Sequence, residues 1–271
     1  MRVLGLDIGS RTVDAVWLED GRVVEHAVVD TGFDPRAVAE ALRVHAPHDA
    51  LVATGYGRHV ARDAFDAQVV TEITAYARGV SHLYPHAASV LDIGGQDTKV
   101  IALAPGGKVT DFEMNDKCAA GTGKFLEVMA RALGFSLEEM ASEALTSSDG
   151  LTISSMCTVF AESEVTGLVH RGENRGRIAR GLHESIAKRT ISSLGRVRAA
   201  GPLVFAGGVA NNAAMVDLVR AGFVGEVIVP ENAQTVGALG AALVAAEVLQ
   251  ASQEVQASRP ITWRAGLDVS D

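Results

Sequence analysis

The same short pattern occurs twice in this chain, and this repeat constrains the fold more than any other feature of the sequence. Residues 6–18 read LDIGSRTVDAVWL, and residues 91–103 read LDIGGQDTKVIAL. In each copy an apolar run ends in Asp-Ile-Gly, turn residues follow, and a second apolar run begins. An internal repeat indicates a duplicated unit of structure. We therefore expect two halves of equivalent topology.

Each copy of the repeat opens a similar succession of elements. The first half begins with three predicted strands, at residues 2–8, 12–18 and 22–30. Asp34 and Pro35 then provide the cap and the first position of a helix. The pattern restarts at residue 89 with three more strands, and helices alternate with strands after that. This order predicts an α/β protein built of two lobes.

We assign residues 1–88 plus 236–271 to lobe I and residues 89–235, with both cysteines, to lobe II. The two Asp-Ile-Gly turns would then meet at a cleft between the lobes, where ligands commonly bind. The residues from Ala251 onward are weakly patterned, and we expect a loose extension there.

Composition excludes several classes of function. The net charge of −9 argues against non-specific binding of nucleic acid, which needs a basic surface. We find no run of about 20 apolar residues, and so expect no membrane span. The first residues lack a basic segment followed by a long apolar one, and so do not predict a signal peptide. Two cysteines are too few for a disulfide framework. We expect a cytoplasmic protein.

The first turn has the features of a phosphate-binding loop. Glycine leaves room for backbone N–H groups to approach a ligand, and consecutive N–H groups bind anions. Ser10 and Thr12 add hydroxyl donors. The carboxylate of Asp7 would face the phosphates, which requires a cation such as Mg²⁺ between them.

The second turn would supply the opposing half of the site. Gln96 is suited to orient an attacking water, and Asp92 or Asp97 to bind metal-bound water. A third glycine turn, Gly207-Gly208, lies between a predicted strand and helix, and would accept the adenosine side of a nucleotide. Each motif alone is also compatible with an ordinary tight turn. Two copies at equivalent places favour the nucleotide site.

The segments around Cys118 and Cys157 suggest a metal–sulfur cluster. Each cysteine stands where a helix is predicted to begin, the first of these over residues 119–133. A helix N-terminus stabilises negative charge and suits an anionic cluster. A 4Fe-4S cluster takes four thiolates, so two copies related by a two-fold axis would be needed. The alternative is a pair of buried free thiols.

Five segments together resemble one known family. NDKCAAGTGKFLE, CTVFAESEV, ATGYGR, DIGGQDTKV and GGVANN closely resemble the activator ATPases of 2-hydroxyacyl-CoA dehydratases and the related ATPase subunits of benzoyl-CoA reductases. The resemblance runs almost end to end. It implies the two-lobed fold of the actin, hexokinase and heat-shock-chaperone superfamily, with ribonuclease H-like lobes and a nucleotide cleft between them.

The resemblance also implies an activity. A homodimer would hold one bridging 4Fe-4S cluster and bind ATP or ADP with Mg²⁺. It would use ATP hydrolysis to pass one electron at very low potential to a partner enzyme. That partner would be an iron–sulfur dehydratase or reductase acting on an acyl-CoA. A ferredoxin or flavodoxin would reduce the cluster again.

Carried over residue by residue, the resemblance implies Cys118 and Cys157 as cluster ligands. The implied catalytic residues are Asp7, Asp92, Gln96 and Asp97. The implied nucleotide-binding residues are Gly9, Ser10, Arg11, Thr12, Gly94, Gly95, Gln96, Gly121, Thr122, Gly123, Lys124, Glu127, Gly207, Gly208, Asn211, Gln234 and Gly237.

Several alternatives stay open at this point. The chain is compatible with an ATPase subunit of a benzoyl-CoA reductase or of a reductase with a double-cubane cluster. It is also compatible with a cluster-free kinase of the same superfamily, or with an ATPase that uses the cleft only as a switch. Iron content separates the last two from the electron-transfer activity.

Overall fold

The computed structural model describes residues 1–155 and 157–257. The strands are β1 (Arg2–Ile8), β2 (Thr12–Glu19), β3 (Arg22–Asp30), β4 (Ala50–Thr54), β5 (Gln68–Val69), β6 (Ser89–Ile93), β7 (Thr98–Ala104), β8 (Lys108–Asn115), β9 (Leu203–Ala206) and β10 (Val227–Ile228). The α-helices are α1 (Pro35–His45), α2 (Arg58–Phe65), α3 (Glu72–Leu83), α4 (Gly123–Leu133), α5 (Leu137–Thr146), α6 (Thr158–His170), α7 (Arg175–Arg196), α8 (Ala213–Gly222) and α9 (Val236–Ala257). Two short 3₁₀ helices cover Gly208–Asn211 and Ala233–Thr235.

The two sheets have the same strand order. The first runs β3-β2-β1-β4-β5, and the second runs β8-β7-β6-β9-β10. In each sheet three antiparallel strands form a meander, and two parallel strands extend it from the first strand of the meander. The expectation of two halves with equivalent topology is therefore confirmed. The residue bounds assigned to the lobes stay a prediction.

Alternation along β1 decides where its aspartate lies. Leu4, Leu6 and Ile8 face a core shared with α1 and α2, while Val3 packs with α9. Successive strand residues point to opposite faces, so Asp7 lies on the face of α9. Gly5 on the same face lets α9 approach closely, because a Cβ there would lie 2.1 Å from the carbonyl oxygen of Ala238.

The second sheet repeats this arrangement with other helices. Leu91 and Ile93 face the large core that α4, α5, α7 and α8 complete. Val90 faces the opposite core, which includes residues of α3. The pleat therefore directs Asp92 towards α3. Helices α3 and α9 pack against each other, so the two aspartates at the strand ends face the same helix pair.

Close packing of α3 and α9 depends on glycine in both helices. A Cβ on Gly79 would lie 2.3 Å from the carbonyl oxygen of Val236, and one on Gly240 would lie 1.7 Å from that of Ala75. Both distances are far below a normal contact, so the backbones approach where no side chain intervenes.

The C-terminal helix corrects two expectations. It continues to Ala257, so the loose extension predicted from Ala251 is wrong for residues 251–257, and residues 258–271 lie outside the described residues. Within the described chain, Ala233–Glu254 is long and apolar enough to cross a membrane, contrary to the expectation that no such stretch exists. Half of that window is buried inside the protein, as in a core helix, so it is weak support for a span.

Candidate functional site

The two Asp-Ile-Gly turns close in the same way. The N–H of Gly9 donates to the carbonyl oxygen of Thr12 at 2.9 Å, and the N–H of Gly94 donates to that of Asp97 at 3.0 Å. Each turn joins the first strand of a sheet to the second. Gln96 is exposed in the second turn. The repeat in the sequence is thus a repeat in backbone hydrogen bonding.

The two turns also lie against each other. A Cβ on Gly95 would lie 2.8 Å from the Cβ of Arg11 and 3.1 Å from the Oγ of Ser10. The guanidinium of Arg11 reaches further into the second half, where its Nε lies 2.7 Å from Oε1 of Glu127 on α4. Its second ion pair, with Asp30, is longer at 3.4 Å. Arg11 therefore links the first turn to the helix that follows Cys118.

Helix α4 begins directly on the second turn. The N–H of Gly123 donates to the carbonyl oxygen of Gly94 at 2.9 Å, and the N–H of Lys124 donates to that of Gly95 at 2.8 Å. The first N–H groups of a helix have no partner within the helix. Here the second turn supplies the acceptors, so a shift of the turn moves the start of α4.

Asp7 is a buried carboxylate in a pocket made by two glycines. A Cβ on Gly55 would lie 2.4 Å from its Oδ1, and one on Gly237 would lie 2.1 Å from its Oδ2. Asp14 stands opposite Asp7 in the register of β1 and β2. Burial, with the charges of Glu72 and Asp14, raises the pKa of Asp7 well above its usual range. An ionised Asp7 would therefore be stabilised by an added cation.

Asp92 in the second sheet has a glycine neighbour equivalent to Gly55. A Cβ on Gly207 would lie 2.2 Å from its Oδ1, the relation that Gly55 has to Asp7. Both glycines follow a parallel strand, and both have positive φ, +84° for Gly207 and +89° for Gly55. The conformation favours glycine at both positions, and any side chain would also collide with the carboxylate.

The two halves differ in the residue opposite this aspartate. Lys99 stands opposite Asp92, where the first sheet has Asp14. The Nζ of Lys99 lies 2.8 Å from Asp92, 2.5 Å from Asp97 and 2.9 Å from Glu72 on α3. Burial alone would lower the pKa of Lys99, but the carboxylates raise it well above its usual range. The second half thus contains its own buried cation.

The predicted adenosine side brings together residues from two segments. The Nδ2 of Asn211 donates to Oε1 of Gln234 at 2.9 Å. A Cβ on Gly208 would lie 3.5 Å from Nε2 of the same glutamine. These three predicted residues are therefore neighbours. Gly237, predicted at the edge of the nucleotide, lies against Asp7, and its role in nucleotide binding stays a prediction.

Both cysteines are exposed, so the alternative of two buried thiols is wrong. Cys157 is the N-cap of α6, and its carbonyl oxygen accepts from the N–H of Ala161 at 2.8 Å. Cys118 lies in a loop, where its carbonyl oxygen accepts from Nδ2 of Asn115 at 3.0 Å. The prediction that a cysteine begins a helix is confirmed for Cys157 and wrong for Cys118.

The residues after Cys118 explain that correction. The hydroxyl of Thr122 donates to the carbonyl oxygen of Ala119 at 2.7 Å, and Gly121 has a φ of +86°. This turn delays the start of α4 to Gly123, instead of residue 119. A Cβ on Gly121 would meet the side chain of Arg189 on α7. Gly121 and Thr122 thus contact α7 and their own turn, whereas Gly123 and Lys124 bond the second turn.

Three residues of the site were missed by the sequence analysis. Gly55 lies in the ATGYGR segment, and its place after an apolar run was a usable signal. Lys99 is a charged residue inside an apolar run, which signals a buried partner. Glu72 gave no signal, because only the packing of α3 brings it to Lys99.

Known proteins share this arrangement of turns and sheets. Residues 4–245 match the model of the BadF/BadG/BcrA/BcrD ATPase family. The chain belongs to this family. It is 45% identical over 259 residues to the activator of lactoyl-CoA dehydratase from Anaerotignum propionicum, covering 92% of this chain and 99% of that protein. It is 36% identical to one subunit of the benzoyl-CoA reductase from Thauera aromatica, but over 60% of this chain and 57% of the relative.

A solved relative confirms the predicted fold class. The activator of the 2-hydroxyisocaproyl-CoA dehydratase from Clostridium difficile, with bound ADPNP, superposes with a TM-score of 0.86 at 38% identity, covering 97% of this chain and 100% of that one. The family member is therefore an α/β protein with the two-lobed fold of the actin, hexokinase and chaperone ATPases. It is an ATPase-family protein whose close relatives are activators of acyl-CoA dehydratases.

Proposed function

We propose that this family member is an ATP-dependent activator that passes single electrons at low potential to a partner iron–sulfur enzyme acting on an acyl-CoA. One observation carries the proposal. The loop of Cys118 leads into α4, and the first N–H groups of α4 bond the carbonyl oxygens of Gly94 and Gly95 in the second phosphate turn. Nucleotide binding at that turn is thereby joined to a cysteine segment.

ATP would lie between the two turns. Backbone N–H groups of the turns, with the hydroxyls of Ser10 and Thr12, would bind the phosphates. Within the described residues, no group of three or more His, Cys, Asp or Glu side chains is arranged to hold a metal ion. Mg²⁺ nevertheless fits beside Asp7, because this ion usually binds through one or two carboxylates together with substrate phosphates and water. It would neutralise charge on the phosphates.

Hydrolysis would depend on the second turn. Gln96 is exposed there, as a residue that orients an attacking water must be. Asp97 and Asp92 share Lys99 as their cation, which fixes both carboxylates in the turn and its strand. We propose Gln96 as the water-orienting residue, with the aspartates holding the water network around the metal ion.

The cysteines fit a shared iron–sulfur cluster. One chain offers two exposed thiols, Cys118 and Cys157, and a 4Fe-4S cluster takes four. We therefore propose a homodimer with one cluster between the copies, and the cluster would supply one-electron redox chemistry. Val159 and Phe160 follow Cys157 with 70% and 68% of their surface exposed. A second copy would cover this apolar pair and shield the cluster from water.

The ion pair of Arg11 with Glu127 would couple nucleotide binding at the turns to the segment of Cys118. This ion pair joins the first turn to α4, so a change in the distance between the turns alters the position of α4 and of the loop before it. ATP and ADP must favour different arrangements for this to transmit work.

The relatives favour a 2-hydroxyacyl-CoA dehydratase as the partner. We propose that a ferredoxin or flavodoxin supplies the electrons, and that the protein is soluble and cytoplasmic. Similarity to the benzoyl-CoA reductase covers a smaller share of both chains than similarity to the lactoyl-CoA dehydratase activator. Two exposed cysteines disfavour a cluster-free kinase.

The test is iron and acid-labile sulfide on protein purified without oxygen, together with its mass in solution. We expect about four irons per dimer. Replacing Cys118 or Cys157 with Ala should remove the iron, while Ser163→Ala, an exposed change on α6, should retain it. Iron-free protein from an oxygen-free preparation would contradict the electron-transfer function and favour a kinase or switch.

A further inference from the structure

A single carboxylate holds the chain segment that leads to Cys157. Oε1 of Glu164 accepts from the N–H of Ser154 at 2.9 Å, and Oε2 accepts from the N–H of Ser155 at 3.1 Å. The hydroxyl of Ser154 donates to Oε2 at 2.8 Å. Glu164 lies about two turns into α6, so Ser154 and Ser155 lie beside the helix and not beyond its first residue.

This contact matters because the segment has no regular structure of its own. Residues 152–155 belong to no helix or strand, so side-chain contacts decide their path. Burial alone would raise the pKa of Glu164, but the hydrogen bonds from Ser154 and Ser155 bring it below its usual range. Glu164 therefore stays ionised at neutral pH and keeps all its acceptor positions.

We infer that Glu164 is a positioning residue for Cys157. By fixing Ser154 and Ser155, it sets where the chain enters α6 and holds the Cys157 thiol at the helix N-terminus. It is not itself a cluster ligand. The effect of Glu164 on cluster binding depends on the proposed function, whereas its effect on the segment does not.

The test compares Glu164→Gln with Glu162→Gln in the full-length protein. Glu162 is exposed on the same helix, and its carboxylate makes no hydrogen bond within the described part of the chain. Glutamine offers one acceptor oxygen, but its amide nitrogen cannot accept from an N–H. Amide hydrogen exchange is measured on iron-free protein, at Ser154, at Ser155 and at Ala161, whose N–H bonds the Cys157 carbonyl oxygen.

We expect exchange at all three amides to be about tenfold faster in Glu164→Gln than in wild type, the factor that corresponds to losing about 1.4 kcal/mol. Glu162→Gln should leave them unchanged. Unchanged exchange at Ser154 and Ser155 would overturn the inference. So would faster exchange there with unchanged exchange at Ala161, because the segment would then not position Cys157.

A second readout uses protein that carries iron. Glu164→Gln should lose its cluster to a chelator several-fold faster than Glu162→Gln, and its reduced form should show an altered electron paramagnetic resonance spectrum. Equal loss rates and identical spectra would overturn the effect on the cluster. Wild-type protein without iron would contradict the proposed function, and the exchange measurements would still decide the role of Glu164.

Discussion

Gly237 offers the sharpest test of how the proposed phosphate-binding end of the cleft is built. It lies in the first turn of α9, and a Cβ there would lie 2.1 Å from Oδ2 of Asp7 and 3.0 Å from the ring of Tyr76. Carbon contacts are optimal at about 3.5–4.0 Å, so Gly237→Ala should displace the Asp7 carboxylate by more than about 1 Å. The variant thus changes the position of Asp7 without removing its charge.

Two opposing effects set the stability of this variant. Alanine is favoured over glycine inside a helix by about 1 kcal/mol, whereas overpacking a buried site costs about 1–3 kcal/mol. We expect a net loss of up to about 2 kcal/mol in the free energy of unfolding. Gly195→Ala is the matched control, because it is in α7 and a Cβ there would meet no atom within 4 Å. That variant should gain about 0.5–1 kcal/mol.

The assays are urea unfolding and calorimetric binding of ADP with Mg²⁺. Displacing a charged contact costs about 1.5–3 kcal/mol, so Gly237→Ala should bind the nucleotide about tenfold to a hundredfold more weakly. Gly195→Ala should bind it as wild type does. A Gly237→Ala protein that gains stability like the control and binds with unchanged affinity would refute the reasoning about Asp7.

Three further predictions follow from the charges around the turns. Charge reversal by Arg11→Glu should weaken the coupling of nucleotide binding to α4, and Glu127→Arg in the same chain should restore it. Because the pair is partly exposed, a double-mutant cycle on ADP affinity should give an interaction energy of about 0.2–1 kcal/mol. If the second substitution restored nothing, the ion pair would be ruled out as the link between the turn and α4. Burial raises the pKa of Asp14 to about 7, against about 3.9 in the unfolded chain. The folded state therefore binds more protons between these values and loses stability as the pH rises from about 4 to 7. In urea unfolding without nucleotide or Mg²⁺, Asp14→Asn should make the fall of stability with pH less steep, and the rest of the fall belongs to Asp7, Glu72 and Asp92, whose pKa values burial also raises. A fall as steep as in wild type would contradict this role of Asp14. Lys99→Met leaves three carboxylates without their cation and should lower the free energy of unfolding, measured in urea, by about 3–5 kcal/mol. Lys108→Met, at an exposed position, should lower it little. Equal losses would refute the role of Lys99 as the buried partner of these carboxylates.

The repeat made the topology predictable. Period-two alternation and turn residues are local signals, and they located β1, β2 and β3 to within one residue. Helix caps are local as well: Asp34 and Thr71 accept from N–H groups three residues further along. Such signals can be read from neighbouring residues alone. Helix α2 and strand β5 were missed because both are short.

The candidate site was predictable only in part. Both Asp-Ile-Gly turns were located because each is a contiguous motif, and the structure brings them together. The roles of their residues in binding and hydrolysis stay predictions. Gly55, Glu72 and Lys99 are joined to the site by contacts between distant segments, which no local pattern encodes.

What the sequence determined by itself was the duplication, the three strands that open each half and the positions of the two turns, because these follow from alternation, turn chemistry and the spacing of the repeat. Tertiary structure decided that α4 begins at Gly123 and leaves Cys118 in a loop, that Gly237 lies against Asp7, and that the buried Lys99 pairs with Asp92, Asp97 and Glu72. These outcomes depend on how α3, α7 and α9 pack against the sheets. Packing between segments far apart in the chain fixes which buried charges meet, and only the folded structure contains that information.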